Sequence, residues 1–519
     1  MLIFTQAQHP NQFTWNTIIR GFAISQTPHR ALLVFLQMFR HSIPLESFTY
    51  AFVFKACARS HMLETGRAVH SLAMKSSHAS HLFVANTAIH LYSSCADLGS
   101  AEKVFEEMGS RNIVTWNAMI SGYVQNGLPN GGLRMFKWMW GEGIRPDYVT
   151  MVGVISACAQ NKDLELGRWI HAYVAENPSD FESNINVGTA LIDMYAKCKQ
   201  IDMAKKIFKD MQRKDIGVWN ALIGGYVFNS RSSEALELFQ KLEVSSLDPD
   251  ETTLVSTLRA CANVGALDIG KRIHLYAQEK SFNSNQMLDT ALVDMYSKCG
   301  CINEAREVFN KMSKRDVMAW TSMIVGLAMH GHSREALDLF LLMLDSGQKP
   351  DGITFLGVLS ACSHAGLVDQ GVYYFETMRN KYCIAPKIEH YGCMIDLFGR
   401  AGRLKEAHAF ILSMEIQPNA IVWRALLSAC RLHSNVILAE TAIENLFKLQ
   451  SDHCGDYVLL SNIYASKGKW NLVENIRRKM EEGGIRKIPG LSLIEANSQP
   501  RVEKWLELSN HQLDHLGYR

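Results

Sequence analysis

Twelve cysteines and a recurring histidine are the side chains in this chain best equipped for chemistry, as metal ligands or nucleophiles. Their spacing argues against both. Cys57, Cys158, Cys261 and Cys362 each follow an alanine, and Cys95, Cys198 and Cys299 each follow a Tyr-Ser or Tyr-Ala pair, in both sets at steps of 101 to 103 residues. Zinc needs clustered ligands, and Cys299-Gly300-Cys301 is the one close pair, without a second pair at zinc-finger spacing. No metal and no cofactor is expected. Small reduced thiols at repeated core positions fit an intracellular compartment. His70, His171 and His274 recur in a Gly-Arg/Lys-x-x-His frame at the same long period. Catalysis rarely needs three equivalent copies, so these histidines read as structural or solvent-facing helix residues.

The elements that carry them form a repeat. Trp15, Trp116, Trp219, Trp320 and Trp423 stand 101 or 103 residues apart, four of the five in a Trp-Asn or Trp-Thr pair, which is the mark of a repeat architecture. One stretch, Ile113 to Asp147, shows the local form. Thr115 is read as the cap of a first helix whose Trp116, Met119, Ile120, Tyr123 and Val124 fall at three- and four-residue steps. Gly127 ends it. Pro129 suits the first turn of a second helix carrying Leu133, Met135, Phe136 and Met139, and Gly141, Gly143 and Pro146 stop that helix. Gly131 and Gly132 cost on the order of 1 kcal/mol each against alanine, which neighbouring packing must offset.

Composition bounds the class. A globular chain of 519 residues would split into roughly three or four domains, whereas an all-α solenoid of helix-turn-helix repeats runs on because each repeat needs only its neighbours. With 53 Lys and Arg against 51 acids, a net charge of +2 gives no electrostatic footprint for RNA or a membrane by itself. No apolar run approaches the roughly 18 residues of a membrane span. The run Arg477-Arg478-Lys479 reads as a solvated helix face that could also meet a phosphate.

The long period resolves into hairpins of roughly 35, 35 and 31 residues. The sets are 12–46, 47–81 and 82–112; 113–147, 148–184 and 185–215; 216–250, 251–285 and 286–316; and 317–351, 352–387 and 388–419. Residues 1–11 look like the end of a cut unit, which makes a fragment or truncated gene model an expectation. Two further hairpins, 420–453 and 454–487, precede a short tail, 488–519. The alternation of VTWNAMISGY, LVSTLRACANVGALDIGKRIH and TALVDMYSKCGCINEAREVF resembles the P, L and S motifs of the plant pentatricopeptide repeat family over residues 1 to about 495. IVWRALLSACRLHSNVILAE and YVLLSNIYASKGKWNLVENIRRKM are similar to the TPR-like E1 and E2 motifs, and PGLSLIE at 489–495 to the start of the E+ extension.

That resemblance implies a right-handed superhelical α-solenoid that binds organellar single-stranded RNA, one base per repeat. In the family, the fifth and last residues of a motif face the base, and the second sandwiches it. A terminal Asp accepts from the ring N–H of guanine or uracil, whereas Asn can also donate to the bare ring nitrogen of adenine or cytosine. A fifth-position Thr leaves room for a purine; the longer Asn favours a pyrimidine. By this resemblance Asn117 with Asp147 and Asn220 with Asp250 read uracil, while Thr189 with Asp215, Thr290 with Asp316 and Thr321 with Asp351 read guanine. Asn86 with Asn112 favours cytosine or uracil. Asn16 pairs with Glu46, where Asp is usual, and Gly392 with Asn419 lacks a fifth side chain, so both are left unassigned. Val255 and Leu356 at the fifth position of L motifs contribute little readout. The implied RNA is C/U, U, any, G, U, any, G, G, any, with an edited cytidine a few nucleotides beyond the last motif. Val114, Met287 and Met318 suit the sandwiching role; Asn186 and Gly217 do not. The tryptophans read as core.

Single pairs are weak evidence, since Asn, Asp and Thr also cap helices. Several in register are stronger. Members of the E type mostly specify cytidine-to-uridine editing sites. A zinc deaminase uses H-x-E with a separated P-C-x-x-C, and neither occurs here, so the chain is read as no enzyme and the deaminase as a partner docked on the E1 and E2 region. The tail departs from the family at Leu491 and Leu493, where Cys and Trp are commoner. Residues 1–20 show no transit peptide; family frequency places mitochondrion ahead of chloroplast. A splicing or transcript-stability factor is the alternative function, and a TPR-type protein scaffold the third.

Overall fold

A computed structural model of the chain describes residues 11–177, 184–280, 282, 285–449 and 453–485. All regular structure among these residues is α-helical, in twenty-eight helices. The truncated unit at 1–11 (apart from Asn11) and the tail from 488 on lie outside the described residues. Helices alternate as hairpins, a first helix of 13 or 14 residues and a second of 9 to 13. Every third hairpin has a short second helix: Leu98–Glu107, Ile201–Asp210, Ile302–Lys311 and Leu404–Leu412. The missing turn is what shortens the repeat at those places. None of the described helices is long and apolar enough to cross a membrane.

The chain divides into two compact units, Met1–Gly326 and Leu327–Arg519. Within each, a first helix packs on its own second helix and on the first helices before and after it. In the first unit Ile113–Gln125 packs on Leu82–Ser94, Pro129–Gly141 and Tyr148–Asn161; in the second, Ile388–Arg400 packs on Gly352–Ala365, Leu404–Leu412 and Ala420–Leu432.

The stretch Ile113–Asp147 shows why these residues form such hairpins. The first helix spans Ile113–Gln125, and its cap is Asn112, three residues before the Thr115 expected from sequence. Asn112 Oδ1 accepts the Thr115 N–H at 3.0 Å, and the Asn112 N–H donates back to Thr115 Oγ1 at 3.2 Å. Thr115 is thus the third residue of a reciprocal capping box, a role a hydroxyl fills as readily as the cap itself. Gly127 takes a left-handed φ of 70° after the helix, and Pro129 opens the second helix, Pro129–Gly141. A Cβ on Gly131 would lie 2.2 Å from a ring carbon of Tyr123. The glycine lets the two helices close on that ring, and this packing is the offset its poor propensity required.

The repeated residues make the inter-hairpin core. Trp116 is 1% exposed, and its indole meets Phe105 of the preceding hairpin edge-on at 4.9 Å. Phe208–Trp219 and Phe309–Trp320 repeat the contact at 5.0 and 5.2 Å. Such pairs contribute about 0.5–1.5 kcal/mol beyond burial. The Gly-Arg/Lys-x-x-His frame has its own geometry. A Cβ on Gly66, Gly167 or Gly270 would meet Leu91, Met194 or Met295 at 2.5 to 2.6 Å, so the glycine admits the next first helix at close range. The histidine four residues on lies within hydrogen-bond distance of a tyrosine hydroxyl there: His70–Tyr92 at 2.8 Å, His171–Tyr195 and His274–Tyr296 at 2.9 Å.

Candidate nucleic-acid interface

The polar residues singled out by sequence lie where one first helix meets the next. Asn117 is the fifth residue of Ile113–Gln125, and Asp147 caps the following first helix, Tyr148–Asn161. Stacking brings that capped end beside Asn117, which is 8% exposed. Asn117 Nδ2 donates to Asp147 Oδ1 at 2.9 Å, and Asn117 Oδ1 accepts from the Thr150 hydroxyl at 2.6 Å. Asp147 Oδ1 also accepts the Thr150 N–H at 2.8 Å. One carboxylate oxygen therefore carries the capping duty, and Oδ2 has no hydrogen bond to the described residues.

The arrangement recurs at Asn220 and Asp250, joined at 2.9 Å, with Thr253 Oγ1 donating to Asn220 Oδ1 at 2.5 Å. Asn86 Nδ2 faces Asn112 Oδ1 at 3.3 Å, and Thr115 Oγ1 donates to Asn86 Oδ1 at 2.7 Å. Asn112 Oδ1 is held by the Thr115 N–H, a pure donor, which leaves its amide nitrogen as the outward atom. Asn16 is buried and accepts from Thr49 Oγ1 at 2.7 Å, while exposed Glu46 gives its backbone N–H to Thr49 at 3.2 Å.

Threonine at the fifth position behaves differently. Thr189 and Thr290 donate to their own helices, at Ile185 O and Gln286 O, at 2.9 and 2.8 Å. Asp215 and Asp316 cap the next helices, accepting from Val218 N–H and Ala319 N–H at 3.0 and 2.9 Å. The shorter side chain does not reach the cap, so among the described residues no hydrogen bond joins Thr189 to Asp215 or Thr290 to Asp316. Thr321 is a buried residue of the first unit, and Asp351 of the second caps Gly352–Ala365 through Thr354 N–H at 2.8 Å. At Gly392 an added Cβ would meet nothing within 4 Å, and Asn419 caps Ala420–Leu432. Val255 is buried and Leu356 half-buried.

Second-position residues stand out from the same edge. Val114 is 53% and Met287 66% exposed, and Met318 is exposed likewise. Asn186 is exposed but polar, and Gly217 has no side chain to offer. Phe13, Phe48, Phe83, Val149 and Ile353 hold the same position and are also exposed, and the sequence reading missed them. Counting two residues into every first helix would have found them. Between the second-position and fifth-position residues of the first unit runs a groove of about 870 Å³, lined by Phe83, Asn86, Asn112, Val114, Asn117 and Val149. Lys55 and His90 stand on its wall. Apolar walls flank polar atoms at the floor, a shape suited to flat heterocycles.

The thiols do not form a reactive site. Burial pushes Cys57, Cys158, Cys261 and Cys362 up to about 12, so they stay protonated and poorly nucleophilic. Burial also lowers His70, His171 and His274, keeping the imidazoles neutral beside their tyrosines.

Models of the PPR repeat family match residues 10–59, 111–160, 214–263 and 315–364, and a PPR repeat model matches 83–113, 189–216, 290–317, 353–383 and 389–416. A pentatricopeptide repeat-containing protein of Arabidopsis thaliana, named as mitochondrial, is 40% identical over 527 residues, covering 94% of this chain and 77% of the relative. The chain belongs to the pentatricopeptide repeat family. An E motif follows at 433–495, making this a pentatricopeptide repeat protein of E type. A second Arabidopsis thaliana pentatricopeptide repeat-containing protein, named as chloroplastic, is 40% identical over 529 residues, covering 96% of this chain and 71% of its own length. Among solved structures, pentatricopeptide repeat protein PPR10 in complex with an 18-nt psaJ RNA element matches 94% of this chain and 77% of its own, with a TM-score of 0.60 at 15% identity. That likeness identifies the fold as the solenoid of stacked hairpins.

Proposed function

We propose that this pentatricopeptide repeat protein binds organellar single-stranded RNA one base per polar pair and specifies a cytidine-to-uridine editing site, with the deaminase supplied in trans. The observation that carries the RNA reading is the division of labour within each pair. The cap's inner oxygen holds the next helix, and its outer atom is left for a base. At Asn117–Asp147, Asp147 Oδ2 accepts the N3–H of uracil while the second Asn117 N–H donates to a uracil carbonyl. Asn220–Asp250 does the same. At Asn86–Asn112 the outward atom is an amide nitrogen, a donor, which matches the bare N3 of cytosine and opposes the N3–H of uracil. Thr189–Asp215 and Thr290–Asp316 leave an acceptor and empty space, suited to the ring N–H and amino group of guanine. Thr321, in the first unit, and Asp351, in the second, keep their assignment to guanine from the family motif. Phe83 stacks on a base, worth roughly 1–3 kcal/mol, and the aliphatic Val114 and Val149 pack against base faces beside it.

The PLS alternation, the E motif at 433–495 and relatives named mitochondrial or chloroplastic support the organellar editing role. Mitochondrion ranks ahead of chloroplast, and the partner docks through the E region. A splicing or stability factor would use the same array without the deaminase; a protein scaffold would leave the outward atoms unused. Disruption of the gene, followed by sequencing of organellar transcripts, tests this. One unedited cytidine with intact splicing is the expected result, and fully edited transcripts would remove the editing role.

A further inference from the structure

In the first unit the third residue of a first helix bonds the fifth residue of the hairpin before it wherever that fifth residue is asparagine; the correspondence runs from asparagine to threonine and not back, since Thr354 also stands at the third place of Gly352–Ala365, after Thr321 in sequence. Every described fifth-position asparagine of the first unit meets a threonine hydroxyl there: Asn16 meets Thr49, Asn86 meets Thr115, Asn117 meets Thr150, and Asn220 meets Thr253. Where the fifth residue is Thr189, Thr290 or Gly392, the corresponding residue is Val218, Ala319 or Val422, with no hydroxyl. The capping box alone does not require this correspondence. Asp215 and Asp316 cap their helices through backbone N–H groups without a threonine.

We infer that Thr49, Thr115, Thr150 and Thr253 are positioning residues for base readout, each locking the carboxamide of the preceding asparagine so that its N–H, and not its oxygen, faces the RNA. The inference rests on the RNA-binding reading above and names a residue class outside the base-facing pair. The hydrogen bonds allow one arrangement. Thr150 Oγ1 accepts the Asp147 N–H at 3.3 Å, which turns its single proton toward Asn117 Oδ1 at 2.6 Å and Asp147 Oδ1 at 2.9 Å. Asn117 Nδ2 donates to Asp147 Oδ1. Were the Asn117 amide reversed, its oxygen would face the Asp147 oxygen, two acceptors with no proton between them, and its nitrogen would face a hydroxyl whose proton then has only Asp147 to meet. Threonine and aspartate together thus clamp the amide from both ends. Without the hydroxyl, Asn117 Oδ1 loses its donor in a nearly dry site, and the amide swings toward the groove to find one. An amide free to present either end no longer tells a carbonyl from an amino group.

The test is Thr150→Val, nearly isosteric, in the full chain, with Thr150→Ser as the variant that keeps the hydroxyl. Binding is measured to single-stranded RNAs that differ only in U or C at the nucleotide opposite Asn117, and in a second set only at the nucleotide opposite Asn220. The wild type prefers U at both. Thr150→Val is expected to lose on the order of tenfold in U-over-C preference at the first nucleotide only, and Thr150→Ser to retain it. A general structural loss lowers affinity for all four RNAs and leaves both ratios alone; that outcome, or an unchanged ratio, overturns the inference. A wild type without preference at either nucleotide overturns the readout itself, and the positioning role with it.

Discussion

Asp147 caps a helix with one oxygen and has the other without a hydrogen bond to the described residues, the atom to which the proposed function gives the base. Its type and place in the repeat were legible in the sequence, since Asp before a helix start at a fixed step from Trp-Asn marks the pair. The side-chain polarity that reaches the groove was not legible, because it follows from which atom the helix end claims. Asn112 and Thr115 show the same limit: a sequence shows cap-forming types within three residues of each other, and only the backbone decides which is the cap. Asp147→Asn isolates the outer atom. Asn and Asp cap about equally well, so thermal stability should change by less than about 0.5 kcal/mol. The outward acceptor becomes a donor, and preference opposite Asn117 moves from uracil to cytosine in a gel shift. Retained uracil preference in a folded variant would show that Asp147 caps and does not read.

At the scale of the helix, periodicity exposed the apolar faces and punctuation exposed the ends, so most helices were visible before any coordinates. Close approach was not. Gly131 looked like a local cost, yet Tyr123 occupies the space its missing Cβ leaves. Gly131→Ala should lower the midpoint of thermal unfolding, because overpacking costs about 1–3 kcal/mol against a propensity gain of about 1 kcal/mol. A raised midpoint would mean the ring moves freely. The histidines were read as structural or solvent-facing; each has a tyrosine partner 22 or 24 residues on, in the next first helix, and although both residues recur at the long period, recurrence alone does not show that they touch. Burial lowers His70, His171 and His274 from the ordinary 6.5. The folded chain therefore binds fewer protons than the unfolded chain just below that value. Their stabilisation is full above 6.5 and is lost as pH falls toward the depressed values. The thermal midpoint should drop between about pH 7.5 and about pH 5.5, and less so in His171→Gln. An equal drop in that variant would place the acid sensitivity elsewhere.

For the whole molecule, a net charge of +2 is no overall excess of cations, and counterion release depends instead on how many lysines and arginines meet phosphates. In the proposed function, stacking and base edges repeated along the array tie binding to sequence. In the proposed function the E motif also separates recognition from chemistry. Ile437 and Trp470, 77% and 64% exposed within it, are the apolar residues on which that proposal places the partner. Changing both to glutamate should leave RNA affinity within about twofold while abolishing editing of the target in complemented mutant plants. Editing that persists would put the partner's dock elsewhere. The central claim, that each polar pair reads one base, meets its most direct test in RNA binding by the purified chain. RNA following C, U, any, G, U, any, G, G, any should bind tightest, and replacing the G opposite Thr290 and Asp316 by adenine should weaken it roughly tenfold. Equal affinity for the two RNAs would contradict the account.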